Sequence, residues 1–325
     1  MRPVTFPTFS PYVLTDVLRP RARRRVLDGL GYLFEPFGPG ATNVLPAVVV
    51  LPDLDGPKPG HEFAYGELLA RRGYVALVVD SFARRGCRDR APARRLLCVT
   101  EAAMLADAFA GLRLVAGHPR VDPSRIAALG FGVGGMVGVM AAYRQLRDLF
   151  VLDGLQFAAH ISYYGCPAPR FDRSETTGAP VLLLLGEVDE AVSIRRTREI
   201  AGDLRRGGSP ATVRVYPETA HAWDAEEGEA HRPDMGLAQL RLRVTEEHRM
   251  IDPWSGIEVR GPLSRRVALW MAQGRAPGFV QKSAQAKSWS DDDLARFLAE
   301  TVGEPAVLVR AGAVPAHLGS RTSRG

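Results

Sequence analysis

The 325-residue sequence is short of cysteine and has no long apolar run. Its cysteines, Cys87, Cys98 and Cys166, are odd in number and lack C-x-x-C spacing, so neither a disulfide framework nor a structural zinc site is expected. Apolar runs such as 48–51 and 181–185 fall well under the roughly 20 residues that a membrane-spanning helix needs. The sequence therefore predicts a protein with no membrane helix and no membrane partner.

Lysine is also scarce, because only Lys58, Lys282 and Lys287 accompany the many arginines behind the net charge of +6. The arginine cluster at 19–25 is not interleaved with aromatic residues, as a binder of single-stranded nucleic acid would require. The N-terminus lacks a continuous apolar stretch and a small-residue cleavage site, so no secretory leader is expected. We expect a cytoplasmic protein that does not bind nucleic acid.

From Pro46 onward, short apolar runs alternate with helical patterns. This alternation predicts an α/β fold with a mostly parallel, doubly wound sheet that is flanked by helices. The predicted strands are 47–51, 74–79, 125–129, 157–164, 180–185 and 212–216, and the predicted helices are 61–72, 99–116, 133–146, 194–205 and 294–302, the last capped by 290–293.

The chain divides by composition into three predicted parts. Residues 1–44 form an N-terminal extension whose strand at 29–34 is added to the edge of the sheet. Residues 45–302 form one α/β domain, in which the polar stretch after Asp224 has no predicted role. Residues 303–325 are predicted to be a loose tail.

The most informative motif is Gly-Phe-Gly-Val-Gly-Gly at 130–135, directly after the strand at 125–129. It has the pattern G-x-S-x-G of a sharp strand-to-helix turn, in which glycines avoid steric clashes and the middle residue is the nucleophile. The middle position is Gly132. The pattern therefore predicts the turn, but it excludes an acyl-enzyme at the usual place.

Two residues follow in the order that this kind of site requires, acid first and histidine second, each after a later strand. Asp189 follows the strand at 180–185, and His221 follows the strand at 212–216. Because the carboxyl ends of parallel strands meet at one edge of a sheet, Asp189 and His221 are expected at the same edge as Gly132.

The segment Tyr-Pro-Glu-Thr-Ala-His-Ala-Trp-Asp at 216–224 resembles the histidine segment of the dienelactone hydrolase family. Segments 46–51, 72–82 and 118–126 are similar to that family too, so the resemblance covers roughly residues 30–224. It implies an α/β-hydrolase fold and, as substrate, a small carboxylic ester or lactone. It also implies that His221 is the general base and that Asp189 fixes its tautomer and stabilises the imidazolium.

The predicted oxyanion hole uses the backbone N–H of Val133 and that of Leu54, in the loop after the first core strand. That loop departs from the pattern common among relatives, and Asp53 falls where the resembled family carries a glutamate. A carboxylate at Asp53 or Asp55 would repel a developing oxyanion, which counts against ester hydrolysis. Alternatively, both aspartates cap the next helix or face water.

Other nucleophiles and ligands have weaker support. Cys166, at the end of the strand 157–164, is a conceivable substitute nucleophile, although a cysteine there is more often a small apolar filler. His61, His160 and His231 lack metal-ligand spacing, and no phosphate-binding G-x-x-x-x-G-K-[ST] loop is present. No metal and no cofactor are therefore expected.

Two functional hypotheses follow. The first is a hydrolase of esterase or lactonase descent whose activity is weak or altered because Gly132 supplies no nucleophile. The second is a non-catalytic protein that keeps the cleft to bind a small ligand or a protein partner, which the changed loop at 52–55 favours. A laboratory replacement of a serine or cysteine would explain Gly132 but not that loop.

Overall fold

A computed structural model describes residues 1–19, 26–36, 44–88, 90–165, 168–225, 230–232, 241–272 and 278–305. The strands are β1 (Arg2–Phe9), β2 (Val26–Phe34), β3 (Leu45–Leu51), β4 (Val75–Asp80), β5 (Val121–Phe131), β6 (Ala159–Tyr163), β7 (Arg170–Phe171), β8 (Val181–Gly186), β9 (Ala211–Tyr216), β10 (Ala230–Arg232), β11 (Arg243–Val244), β12 (Met250–Ile251) and β13 (Gly278–Val280). The helices are α1 (Ala64–Arg71), α2 (Pro92–Cys98), α3 (Glu101–Ala116), α4 (Val133–Met140), α5 (Arg144–Phe150), α6 (Ile194–Arg206), α7 (Pro262–Ala272) and α8 (Ala284–Thr301).

Eight strands form one central sheet in the order β1-β2-β4-β3-β5-β6-β8-β9. The pairs from β4 to β9 are parallel, whereas β1 and β2 are antiparallel additions at one edge. Every residue of β3, β4 and β8 is buried, as expected for parallel strands with helices on both faces. The predicted fold, a mostly parallel sheet flanked by helices, is confirmed.

Helices cover both faces of the sheet and create two main hydrophobic clusters. On one face, α1 and α8 contribute Leu69 and Leu298. On the other face, α3 and α4 contribute Leu105 and Val137. The predicted strand at 29–34 lies within β2, which is second from the edge because β1 lies outside it. Division of the chain into an extension, a domain and a tail remains a prediction, and residues 306–325 lie outside the described part.

The sheet order reverses at β3, because the chain passes from β3 to β4 on one side and later returns to β5 on the other. In open α/β sheets, ligands bind in the crevice at the carboxyl ends of the strands at such a switch point. Asp53 follows β3 and Gly132 follows β5. The topology thus places the changed loop and the vacant turn side by side.

Two predicted helix boundaries were wrong. The helix predicted at 133–146 is interrupted, because α4 ends at Met140 and Tyr143 adopts an extended backbone that bridges to Thr176 before α5 begins. The last helix begins at Ala284 rather than Leu294, and its cap is Ser283, whose side chain accepts the Ala286 N–H. Ser290 instead lies buried inside α8.

The polar stretch after Asp224 contains short regular elements. Strand β10 pairs with β13, strand β11 pairs with both β7 and β12, and α7 follows. None of the helices within the described residues has both the length and the apolar character needed to cross a membrane.

His160, on β6, is expected to make the stability of the protein depend on pH. It is 1% exposed, and burial lowers the pKa of its imidazole to about 4, against 6.5 for the ordinary value. Between these two pH values the unfolded chain binds a proton that the native protein excludes, so stability falls as pH falls, by about 3 kcal/mol in total for this group.

The measurement is the free energy of unfolding in urea at intervals from pH 7 to pH 4. In His160→Leu, this part of the acid destabilisation should disappear, while the contributions of all other groups remain. Equal pH slopes for the two proteins over this range would show that His160 does not resist protonation in the native state.

Candidate active site

Gly132 forms the turn between β5 and α4 in a backbone conformation that side chains rarely adopt. Its φ is +50° and its ψ is −115°, and Val133 is the first residue of α4. At Gly130 a side chain would overlap the backbone of Gly134, so the helix can approach the strand only if this position is glycine. The turn predicted from the sequence is therefore present, with no side chain at its centre.

The loops after β8 and β9 bring Asp189 and His221 together. Nδ1 of His221 lies 2.8 Å from Oδ2 of Asp189 and, since a carboxylate can only accept, donates to it. The other oxygen of Asp189 accepts the N–H groups of Ala191, at 2.8 Å, and Val192, at 3.0 Å. Asp189 is thus fixed by its own loop and in turn fixes the histidine ring.

His221 is 1% exposed, and its Nε2 has no hydrogen-bond partner within the described part of the chain. The ring of Tyr164 packs edge-on against the imidazole, with 4.9 Å between ring centroids. Burial alone disfavours the imidazolium, but the Asp189 carboxylate and its hydrogen bond outweigh burial and raise the pKa of His221 above its ordinary value. An oriented histidine with a free nitrogen can take or give a proton at this site.

The carboxylate of Asp53 occupies the space in which a nucleophile's side chain would lie. A Cβ at Gly132 would overlap this carboxylate, and Oδ2 of Asp53 lies 2.6 Å from that Cβ position. Burial raises the pKa of Asp53, whereas the N–H of Val133 and the nearby His221 act against that rise. The loop after β3 thus supplies a carboxyl group to a turn that has no side chain at its centre.

One of the two predicted oxyanion donors binds this same carboxylate. The N–H of Val133 donates to Oδ1 of Asp53 at 2.9 Å. The sequence predicted that the N–H groups of Val133 and Leu54 would bind a substrate oxygen. In the structure the N–H of Val133 binds an oxygen of the protein.

Asp55 and Cys166 do not add to the described site. Asp55 faces away from it, toward Lys58 at 2.8 Å and Arg95 at 3.4 Å. Cys166 lies outside the described residues. Among those residues, no group of three histidine, cysteine, aspartate or glutamate side chains could hold a metal ion.

A buried charged network behind the site was not predicted from the sequence. His61 lies between Asp224, at 3.3 Å, and Glu62, at 3.2 Å. Asp224 also accepts the hydroxyls of Tyr65, at 2.7 Å, and Tyr164, at 2.8 Å. Burial disfavours the charged forms of both His61 and Asp224. The attraction between these two residues outweighs burial, so it raises the pKa of His61 to about 10 and lowers that of Asp224 to about 2.

This network also holds the loop that carries Asp53. One carboxylate oxygen of Glu62 accepts the backbone N–H of Asp53 at 3.4 Å, and the other accepts that of Lys58 at 3.0 Å. The sequence contains a signal for Asp224, because this residue ends the segment 216–224 that resembles the histidine segment of the dienelactone hydrolase family. His61 had no signal, because its partner Asp224 is far from it in sequence.

An apolar pocket adjoins the vacant turn. Val133 and Met136, in the first turn of α4, form part of its lining. Residues after Asp224, among them Met250 and Val259, form another part. Its charged lining groups, Arg265 and Glu101, bind each other at 2.7 Å. The polar stretch after Asp224, for which the sequence predicted no role, therefore helps to enclose an apolar space beside the turn.

Comparisons with known proteins identify relatives of this chain. A curated relative, the probable 2-oxo-3-(5-oxofuran-2-ylidene)propanoate lactonase of Bradyrhizobium sp., is 26% identical over 212 residues, covering 63% of this chain and 82% of the relative. The putative carboxymethylenebutenolidase of Methylorubrum extorquens is 24% identical over 223 residues, covering 60% of this chain and 74% of the relative.

Solved structures share the fold. A putative dienelactone hydrolase from Klebsiella pneumoniae aligns with a TM-score of 0.51 at 22% identity, covering 69% of this chain and 89% of that chain. A dienelactone hydrolase-like promiscuous phosphotriesterase from metagenomic libraries aligns with a TM-score of 0.51 at 18% identity, covering 92% and 98%. The model of the dienelactone hydrolase family matches residues 31–245, and the chain belongs to that family.

Proposed function

We propose that the protein hydrolyses small carboxylic esters or lactones, slowly, through a water molecule that His221 activates. The observation that carries this proposal is the free Nε2 of His221, buried in the site and held from behind by Asp189. Gly132 offers no group that could form an acyl-enzyme. The reaction therefore needs only the protein's side chains, water and the substrate.

In the proposed reaction, Nε2 of His221 takes a proton from water as the water oxygen attacks the substrate's carbonyl carbon. Asp189 stabilises the imidazolium that forms, and the proton then passes to the leaving alcohol. The Asp53 carboxylate slows this reaction, because it engages the N–H of Val133 and repels a developing oxyanion. Enzymes that lack a triad member retain roughly 10³–10⁴-fold acceleration over water, and we expect activity no higher than this.

The substrate class is inferred from the pocket and from the relatives. The apolar lining next to Val133 suits a small substrate without charge. One curated relative is named a probable lactonase and another a putative carboxymethylenebutenolidase, which favours esters and lactones for this chain as well.

The test is the hydrolysis of phenyl acetate and of small lactones by the protein and by His221→Ala. We expect measurable turnover in the parent and a loss of about 100-fold or more in kcat/KM in the variant, because general base catalysis is removed. His118→Ala is the matched control. His118 lies just before β5, at the amino ends of the parallel strands and thus at the opposite end of the sheet from His221, and it pairs with Glu35. Equal rates for the parent and His221→Ala would contradict the proposal.

The second candidate function is a non-catalytic protein that binds a small ligand or a protein partner in the same cleft. The engagement of the Val133 N–H by Asp53 favours it, because this predicted donor is then taken from an oxyanion. Absence of turnover in the parent, together with saturable binding of a non-hydrolysable ester analogue, would support this second function over the first.

A further inference from the structure

The position of Asp53 indicates a chemical role in addition to blocking the turn. A carboxylate is itself a nucleophile, and enzymes use aspartate in covalent catalysis. This one stands where the side chain of a nucleophile at Gly132 would stand, and its carboxylate contributes to the raised pKa of His221. The site therefore contains a candidate nucleophile, a base and an orienting acid, although the candidate nucleophile comes from the loop after β3 instead of the turn after β5.

The hydrogen bonds of Asp53 decide which carbon it can attack. Attack on an ester carbonyl creates an oxyanion on the substrate, which needs free N–H donors. The N–H of Val133 already donates to the Asp53 carboxylate. Displacement at a saturated carbon creates no oxyanion on the substrate, so it does not need these donors.

The N–H of Val133 is well placed for the second half of such a reaction. Once Asp53 carries an alkyl group as an ester, water must attack Cγ of Asp53, and the negative charge develops on its carbonyl oxygen. Val133 N–H lies 2.9 Å from Oδ1, the oxygen that would bear this charge. The oxyanion hole thus fits a tetrahedral intermediate that is centred on Asp53 itself.

The leaving group must depart without a proton, because the neighbouring acids are engaged. The hydroxyls of Tyr65 and Tyr164 donate to Asp224, and His221 is needed as a base in the next step. An alkoxide would need a proton donor, whereas a halide leaves as a stable anion. The apolar pocket beside Val133 suits a small alkyl chain.

We propose that Asp53 is a displaced nucleophile that forms a covalent alkyl ester with small alkyl halides, and that His221 directs the hydrolysis of this ester. A carboxylate oxygen of Asp53 bonds to the carbon while the carbon–halogen bond breaks and halide leaves with the electron pair. Water gives a proton to His221 and attacks Cγ. The intermediate expels the alcohol, which takes the proton from His221, and Asp53 loses the remaining proton to solvent.

The test uses 1-bromobutane, with bromide release followed by ion chromatography. We expect turnover by the parent, a loss of about 1,000-fold or more in Asp53→Asn, and undiminished release by Asp55→Asn, whose carboxylate faces Lys58 and Arg95. In His221→Gln, the alkyl ester should accumulate, and mass spectrometry should find one butyl group on the peptide that contains Asp53.

A measurement on the unaltered protein removes any dependence on the folding of the variants. Turnover in water enriched in ¹⁸O should place the label in the carboxylate of Asp53, because the attacking water supplies one of its oxygens. The proposal would be overturned if no bromide were released and neither the label nor an adduct were found on Asp53. Asp53 would then only block the N–H of Val133. This reaction and the proposed ester hydrolysis share His221 but have separate substrates and products, so either can fail while the other stands.

Discussion

Gly132→Ser alone is expected to give no gain in ester hydrolysis, although it restores the residue type that the turn lacks. Any side chain at this position would overlap the Asp53 carboxylate, and the backbone φ of +50° adds strain of about 1–3 kcal/mol. The N–H of Val133 would also stay bound to Asp53. Serine would therefore lack both space and a predicted oxyanion donor.

The double variant Gly132→Ser with Asp53→Ala is expected to raise kcat/KM for p-nitrophenyl acetate by about 1,000-fold or more over the parent. Removal of the carboxylate gives the serine space and frees the N–H of Val133, and His221 with Asp189 completes a triad. The measurement is steady-state release of p-nitrophenol, with a pre-steady-state burst as the sign of an acyl-enzyme.

Gly132→Ala with Asp53→Ala is the matched control, since it has the same backbone and the same space but no hydroxyl. It should show no burst. If Gly132→Ser alone were as active as the double variant, the Asp53 carboxylate could not occupy the nucleophile's space in solution.

Asp224→Asn is expected to lower the free energy of unfolding by about 3–5 kcal/mol, the range for breaking one side of a buried ion pair. Asp224 is 7% exposed, and His61, at 3.3 Å from it, is held in its charged form by the pair. An amide keeps the size of the side chain but not its charge. His61 would keep only Glu62 as a charged partner.

Urea denaturation at pH 7 measures this loss, and Asp153→Asn is the matched control. Asp153 pairs with Arg113 at 2.7 Å, but both side chains are exposed, so its replacement should change stability by no more than about 1 kcal/mol. In the double variant His61→Gln with Asp224→Asn, the combined loss should be smaller than the sum of the single losses, because each single variant leaves one charge of the pair without its partner and the double variant does not. Additive losses would show that the two residues do not interact.

The position of the site could be predicted from the sequence because it depends on local pattern and chain order. The apolar run at 125–129 followed by closely spaced glycines predicted a strand, a sharp turn and a helix, and β5, Gly132 and α4 have these positions. Asp189 and His221 could be paired in advance since each follows a predicted parallel strand. The helix interruption after Met140 was missed, because it depends on the bridge between Tyr143 and Thr176.

The sequence by itself determined the α/β fold, the vacancy at Gly132 and the dyad of Asp189 and His221, because strand periodicity and strand order suffice for these. Only the tertiary structure decided what fills the vacancy. Whether Asp53 would face water, cap a helix or enter the site depends on the distance between two loops that are far apart in the chain. The close pairing of β3 with β5 brings them together, so the carboxylate of Asp53 lies on the N–H of Val133.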